Sequence, residues 1–424
     1  MKKLFSLVLI LAMILSFAVV AHAEDVEITW MFWDDLVATS DLISQGYKQV
    51  IDRFNAADNG YHVNVVTTNL EEYDSKVASM IAAGQTPDVF ICNPGPNMDV
   101  YVNAGLCLDL TPYLEADPDW YNSFSGGIFE RETYDGKIMA IPTNFAAACC
   151  FYNTEMFEKA GVEVPTTFDE LLAACQKLQD AGFQPITCSA GTPWCLSMVA
   201  GYLCDRCGGP ENLQKITAGE TNWLEEPSYR QAMELLTQLA PYFQKTCASD
   251  TNDECVAQFY NEQAAILIQG SWCIGQINGA NPDFEAKCGV FQFPAVEGGA
   301  DPNRMIVKTD NLLVSKDTKC VEGCNELLKY FTDDEAQKYT AEVGGKIPVT
   351  NVEFDFDKAP AQLKFVTDIL ANMTGSLGFY NESLYSVEAG DTYDNAMVSV
   401  VLGQKTSDQA LQSIEDWYED EVWF

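Results

Sequence analysis

The side chains of this chain with reactive chemistry are 15 cysteines, two histidines and 62 carboxylic acids. Their spacing supports little catalysis. His22 lies in a leader-like N-terminus, so a Ser-His-Asp triad would have to be served by His62, and no histidine cluster of the kind exported zinc receptors need is present. His62 alternates with Tyr61, Val63 and Val65, which reads it as a surface residue of a strand. Cys204-Asp-Arg-Cys207 has redox or zinc-like spacing, yet no second such pair and no histidine pair accompanies it. A local disulfide or two packed thiols is the expectation, and Cys149-Cys150, in an apolar strand, reads as core. Two carboxylates roughly 5 to 9.5 Å apart could cleave a glycosidic bond, but 62 acids make coincidental pairs unavoidable and nothing singles one out. The reactive residues therefore predict no catalytic group, no metal and no cofactor.

The elements around these residues describe an exported α/β protein. Met1-Lys2-Lys3, an apolar run from Leu4 to Val20 and Ala21-His22-Ala23 form a secretory signal with cleavage expected after Ala23. Glu24 follows that site and the first cysteine is Cys92, which disfavours a lipid anchor. A soluble receptor without a lipid suits a periplasm better than the exterior of a single-membrane cell. The 15 cysteines are an odd number, so at least one is free or pairs between chains. Net charge is −38, which repels nucleic acid and anionic membrane and excludes both as partners. What remains of the 424 residues after the leader exceeds what a single core holds, which predicts two lobes.

Strand patterns at 26–32, 61–67 and 87–92 alternate with helical spacing at 43–57 and 73–83, predicting a mainly parallel sheet flanked by helices. Ligands bind at strand ends in such sheets. A strand at 146–152 carries the chain onward. Thr167 and Glu170 form a capping box for a helix over 168–181, which Gly182 ends. Strands are expected at 184–188, 264–269, 287–294 and 304–315. Helices are expected at 229–243, 256–261, 321–332, 334–343, 362–373, 392–402 and 408–418.

An ordered set of short marks along the chain resembles the extracellular solute-binding protein family 1, the carbohydrate receptors of ABC importers. It runs from Ile28-Thr29-Trp30 with Phe32-Trp33, through Pro87-Asp88-Val89, Ile141-Pro142 and Tyr152-Asn153, to Pro165-Thr166-Thr167-Phe168-Asp169-Glu170-Leu171. It continues with Phe259-Tyr260, Gly270-Ser271-Trp272, Phe293-Pro294 and Gly344-Gly345-Lys346-Ile347-Pro348. The resemblance implies the two-lobed periplasmic-binding-protein type II fold, with 24–142 and 285–332 in the N-terminal lobe and 143–284 and 333–424 in the C-terminal lobe. Hinge crossings are expected near 142–145, near 274–284 and near Thr332. It also implies a monomer that closes on a sugar or oligosaccharide and delivers it to the permease subunits of an ABC transporter.

A sugar presents hydroxyls at its edge and apolar C–H faces, so its site needs flat aromatic side chains together with carboxylates or amides. The resemblance places such groups at Trp33, Asp34 and Asp35 after the first strand, Asn93 after the third, and Asn144 and Phe145 at a hinge crossing. It adds Trp194 in a loop, Trp272 after a strand of the second lobe, and Asp391 in a loop before the 392–402 helix. Ala146 and Cys92 stand where maltose receptors carry a carboxylate and an aromatic, so maltose is not implied. Alternatives are a receptor of the same fold for a polyol or small anion and an exported polysaccharide-cleaving enzyme. An anion would call for a cluster of basic residues, and Arg131, Arg206, Arg230 and Arg304 form none in the sequence, though Lys346 lies near the Gly344 turn.

Overall fold

The computed structural model describes residues 25–422, so the expected leader and its cleavage site lie outside the described residues. Eleven strands are described: β1 (Val26–Phe32), β2 (Tyr61–Thr67), β3 (Val89–Cys92), β4 (Thr133–Tyr134), β5 (Lys137–Ile138), β6 (Ile141–Asn153), β7 (Ile186–Thr187), β8 (Ile266–Gly270), β9 (Cys288–Phe291), β10 (Arg304–Val314) and β11 (Gly375–Leu377). Strands β4 and β5 make a separate hairpin. The others form one mixed sheet in the order β2-β1-β3-β10-β6-β8-β7, with β9 on β6 and β11 on β10.

Pairing is parallel at the two ends of this sheet, where helices connect the strands, and antiparallel in the middle, where β6 and β10 meet their neighbours. In β1, Trp30, Met31 and Phe32 are all buried, as a strand covered on both faces requires. The helix Leu42–Ala56 covers it with Ile43, Tyr47, Val50, Ile51 and Phe54, the face its spacing predicts, and Asp41 caps it by accepting from the amides of Ile43 and Ser44. Thr167 and Glu170 make the expected capping box on the helix Phe168–Asp180.

Apolar side chains gather into three clusters. The first holds Trp30, Phe32, Phe90, Ile141, Leu312 and Leu313. The second holds Cys150, Leu196, Tyr202, Trp223, Ile268, Ile306 and Tyr393. A smaller third, around Phe151, Phe259, Ile274, Phe284 and Met305, lies on the same half of β6 and β10 as the second. Strands β6 and β10 thus run from one core into the other, and the chain passes between them again between Val349 and Val366.

This differs in two places from the boundaries expected from sequence. Residues 285–303 pack with the second and third clusters through Cys288, Phe291, Phe293 and Val296, because β9 pairs with the second half of β6. Residues 333–349 stay with the first cluster through Ala336 and Val349, since the helix Asp334–Glu342 buries Ala336, Gln337, Thr340 and Ala341. Apolar spacing announces a strand but not its partner.

All 15 cysteines are unpaired thiols, and only Cys207 is not fully buried. Cys204 and Cys207 lie on one buried helix, Trp194–Gly208, with the Cys204 thiol against the Tyr393 hydroxyl. Among the described residues no helix is long and apolar enough to cross a membrane.

Candidate ligand cleft

Between the two main cores, where β6 and β10 cross, lies a cavity of about 890 Å³. Seven of the nine residues expected at a ligand site line it: Trp33, Asp34, Asp35, Asn93, Trp194, Trp272 and Asp391. Trp33 leaves the carboxyl end of β1, with its ring edge-on to Tyr73 at 5.4 Å. Asp34 and Asp35 begin the turn that follows. Asp35 Oδ1 accepts from the amides of Val37 and Ala38, which lowers its pKa and commits that oxygen to the turn.

The opposite wall is aromatic. The ring centroids of Trp194 and Trp272 lie 6.1 Å apart, and Phe379 joins them at 6.0 and 5.7 Å. Trp272 folds its ring over the backbone of Gly270 at the end of β8, where an added Cβ would lie 2.1 Å from a ring carbon. Gly270 is therefore needed for that close approach. Trp194 is not in a loop as expected but begins the helix Trp194–Gly208. Twelve residues of that helix are buried, so its apolar pattern has no single face to reveal it.

Asn144 and Phe145 do not reach the cavity. Asn144 is 1% exposed, and its Nδ2 donates to Asp310 Oδ2 at 2.9 Å and to the Tyr47 hydroxyl at 2.7 Å. Phe145 is half-buried between the first and third clusters, and its backbone exchanges hydrogen bonds with Ile347. Asn144 is the direct β6 partner of Asp310, which does line the cavity, and the register shifts by one residue just beyond that pair, with Thr143 as the extra residue on β6. Asp391 lies inside a helix, not before one. Ser386 caps the helix Val387–Val401, and Gly390 fits in its first turns because an added Cβ would meet the Asn381 carbonyl at 2.6 Å.

The residues that sequence reasoning missed lie at the centre. Lys308 Nζ is 5.7 Å from the ring centroids of both Trp33 and Trp272, donates to Asn93 Oδ1 at 2.8 Å and pairs with Asp310 Oδ1 at 3.2 Å. Lys346 Nζ holds the other carboxylate oxygen at 2.7 Å. Burial works to raise the Asp310 pKa, but Lys346 and Lys308 outweigh it and hold the carboxyl well below the usual range.

The remaining carboxylates show the reverse. Burial pushes Asp394 up to about 7, with Asp391 and Glu382 adding to the rise and the nearby Ser197 hydroxyl and the Asn381 amide opposing it. Burial also raises Glu382, with Asp310 and Asp74 adding, against Lys308 and Arg131. Asp74 is raised by burial and by the charge of Asp391 on the facing helix. Such crowding of like charges marks a functional cleft more often than a structural surface. Among the described residues, no group of three His, Cys, Asp or Glu side chains is placed to hold a metal.

The profile of the bacterial extracellular solute-binding proteins matches residues 49–362. An uncharacterized ABC transporter extracellular-binding protein of Pyrococcus horikoshii is 25% identical over 303 residues, covering 70% of this chain and 66% of that one, just under two thirds of its length. A multiple sugar-binding protein of Streptococcus mutans is 24% identical over 322 residues, 73% of each chain. The solved structure of a chitin oligosaccharide binding protein shares the fold, with a TM-score of 0.83 at 22% identity over 93% of this chain and 98% of that one.

Proposed function

Because the chain belongs to the bacterial extracellular solute-binding proteins, we propose that it is the exported receptor of an ABC importer and captures a sugar or oligosaccharide without altering it. The observation that carries the reading is the pairing of Trp194, Trp272 and Phe379 on one wall with Trp33, Asn93 and acidic side chains on the other. Flat rings take the C–H faces of a pyranose, and the amide and carboxylates take its hydroxyls. A cavity of about 890 Å³ has room for more than one sugar ring.

The lobes of the receptor follow the cores. One comprises 25–142 and 311–349; the other comprises 147–306 and 363–422, with β6 and β10 as the main hinge strands. Closure of the lobes carries Trp33 and Asn93 toward Trp194 and Trp272 and presents a joint surface to the permease. The receptor acts as a monomer, and the leader is removed after Ala23. An anionic solute is disfavoured because both lysines of the cleft are already paired with Asp310. Titration of the purified protein with a broad saccharide panel tests the reading. A ligand raises the melting temperature and changes tryptophan fluorescence, whereas a panel that does neither refutes the sugar assignment.

A further inference from the structure

The cleft is lined by ten carboxylate side chains and two lysines. Both lysines are ion-paired to one of those carboxylates, Asp310, and neither makes an ion pair with any of the other nine. Four of them, Asp74, Glu382, Asp391 and Asp394, are close enough to disturb one another. Asp391 acts on Asp74 and Asp394, and Glu382 is acted on by Asp74 and acts on Asp394. Asp391 and Asp394 stand three residues apart on the helix Val387–Val401, hence on one face.

Two further observations point to a ligand and not to a solvated acidic patch. Asp394 is 8% exposed, its Oδ2 accepts from Asn381, and its Oδ1 has no hydrogen-bond partner although the residue lines the cavity. Glu382 Oε2 is likewise buried and unpartnered. The basic groups facing this corner are Lys308 and Arg131, which act on Glu382. Neither forms an ion pair with the four carboxylates, and Lys308 is engaged by Asp310 and Asn93. A neutral sugar hydroxyl could donate one hydrogen bond to such an oxygen, but it would leave the mutual repulsion in place. A cation would relieve the repulsion and supply the missing donors at once. The aromatic wall beside the corner suits the same charge, since a ring face attracts an ammonium.

We propose that the cleft selects a cationic glycan, an oligosaccharide with at least one free, protonated amino group. The ammonium sits against Asp391, Asp394 and Glu382 while the rings stack on Trp194 and Trp272. This rests on the saccharide reading of the same cleft.

The test is isothermal titration of the wild-type protein with three trisaccharides of one linkage: β-1,4 glucosamine, its N-acetylated form and the glucose form. At about pH 6 the free amine is protonated, and so is most of Asp394, whose carboxyl is pushed up to about 7, so binding of the ammonium should also release a proton from Asp394. The glucosamine trisaccharide is expected to bind about 10-fold or more tightly than either neutral partner, as one charge-assisted contact allows. The advantage should shrink several-fold between about 0.02 and 0.5 M salt. Asp391→Asn, at an exposed helix position, should narrow it as well. Equal or tighter binding of a neutral trisaccharide overturns the cationic preference and leaves the receptor a sugar binder. If none of the three binds, the proposal fails, and the broad saccharide panel shows whether the sugar reading fails with it.

Discussion

Asp394→Asn should make the ligand-free protein more stable at neutral and alkaline pH while weakening its response to ligand. The carboxyl of Asp394 moves from its ordinary value of 3.8 to about 7 in the fold, driven first by burial. A shift of about three units corresponds to about 4 kcal/mol between the two protonation states. Its sign follows from proton counts. Between the two values the folded protein holds a proton on Asp394 that the unfolded chain has released, so stability falls as pH rises through that window. Water reaches the cleft and salt screens it, so about half of the shift, about 2 kcal/mol, is a realistic expectation. Asparagine keeps the shape and cannot ionise. Thermal melting of wild type and variant from about pH 4 to pH 8 should give similar values at the acidic end, close to the pKa of the unfolded chain. At the upper end the variant should melt about 2 to 5 °C higher. Parallel curves across that range, or a wild type that gains on the variant as pH rises, would refute the assignment of a crowded, buried carboxylate.

Other expectations follow from the same geometry. Trp272→Ala removes the ring that packs on Trp194 and Phe379, and it should weaken saccharide binding by about 1 to 3 kcal/mol in calorimetry with the circular dichroism spectrum retained. Gly270→Ala places a Cβ where the Trp272 ring lies, so the ring must move, and a loss of affinity of about 10-fold without a change at the cavity's other wall is expected. Asp310→Asn leaves Lys346 and Lys308 without their shared partner and should cost about 3 kcal/mol or more in denaturant unfolding. The Asp310 carboxyl is held below its ordinary pKa, so its contribution is present at neutral pH and is lost as pH falls through the acid range; the wild-type advantage over Asp310→Asn should fade there.

The parts of the fold legible in the sequence are those in which local pattern and burial agree. β1 and β2, the helix Val321–Thr332 and the Thr167 capping box follow directly from spacing and cap chemistry. The helix Trp194–Gly208 is hidden because nearly its whole circumference is buried, so no polar face gives it a period. The helix over 392–402 starts five residues earlier than expected, at Val387 with Ser386 as its cap, because Gly390 inside its first turns weakens the helical pattern there.

The site divides in the same way. Tryptophans at strand ends are visible because a large ring beside a turn is conspicuous, and Trp33 and Trp272 both line the cavity. Lys308 and Asp310 are invisible because they lie within a long strand, and alternation puts them on one face without saying which face meets the cleft. Asn144 is spent on holding Asp310 and Tyr47 and does not line the cavity. The carboxylates Asp74, Glu382 and Asp394 come from three separate elements, and only the closed packing of those elements shows that they share one corner.

The central claim is capture of an unaltered saccharide in the cleft. Native mass spectrometry of the purified protein, incubated with a mixture of defined neutral and amino-substituted oligosaccharides, tests it most directly. The account predicts a one-to-one complex whose added mass equals an intact oligosaccharide from the mixture, with lower occupancy in Trp272→Ala at the same concentration. A protein that carries no saccharide from the mixture, or that leaves shortened products in solution, would contradict it.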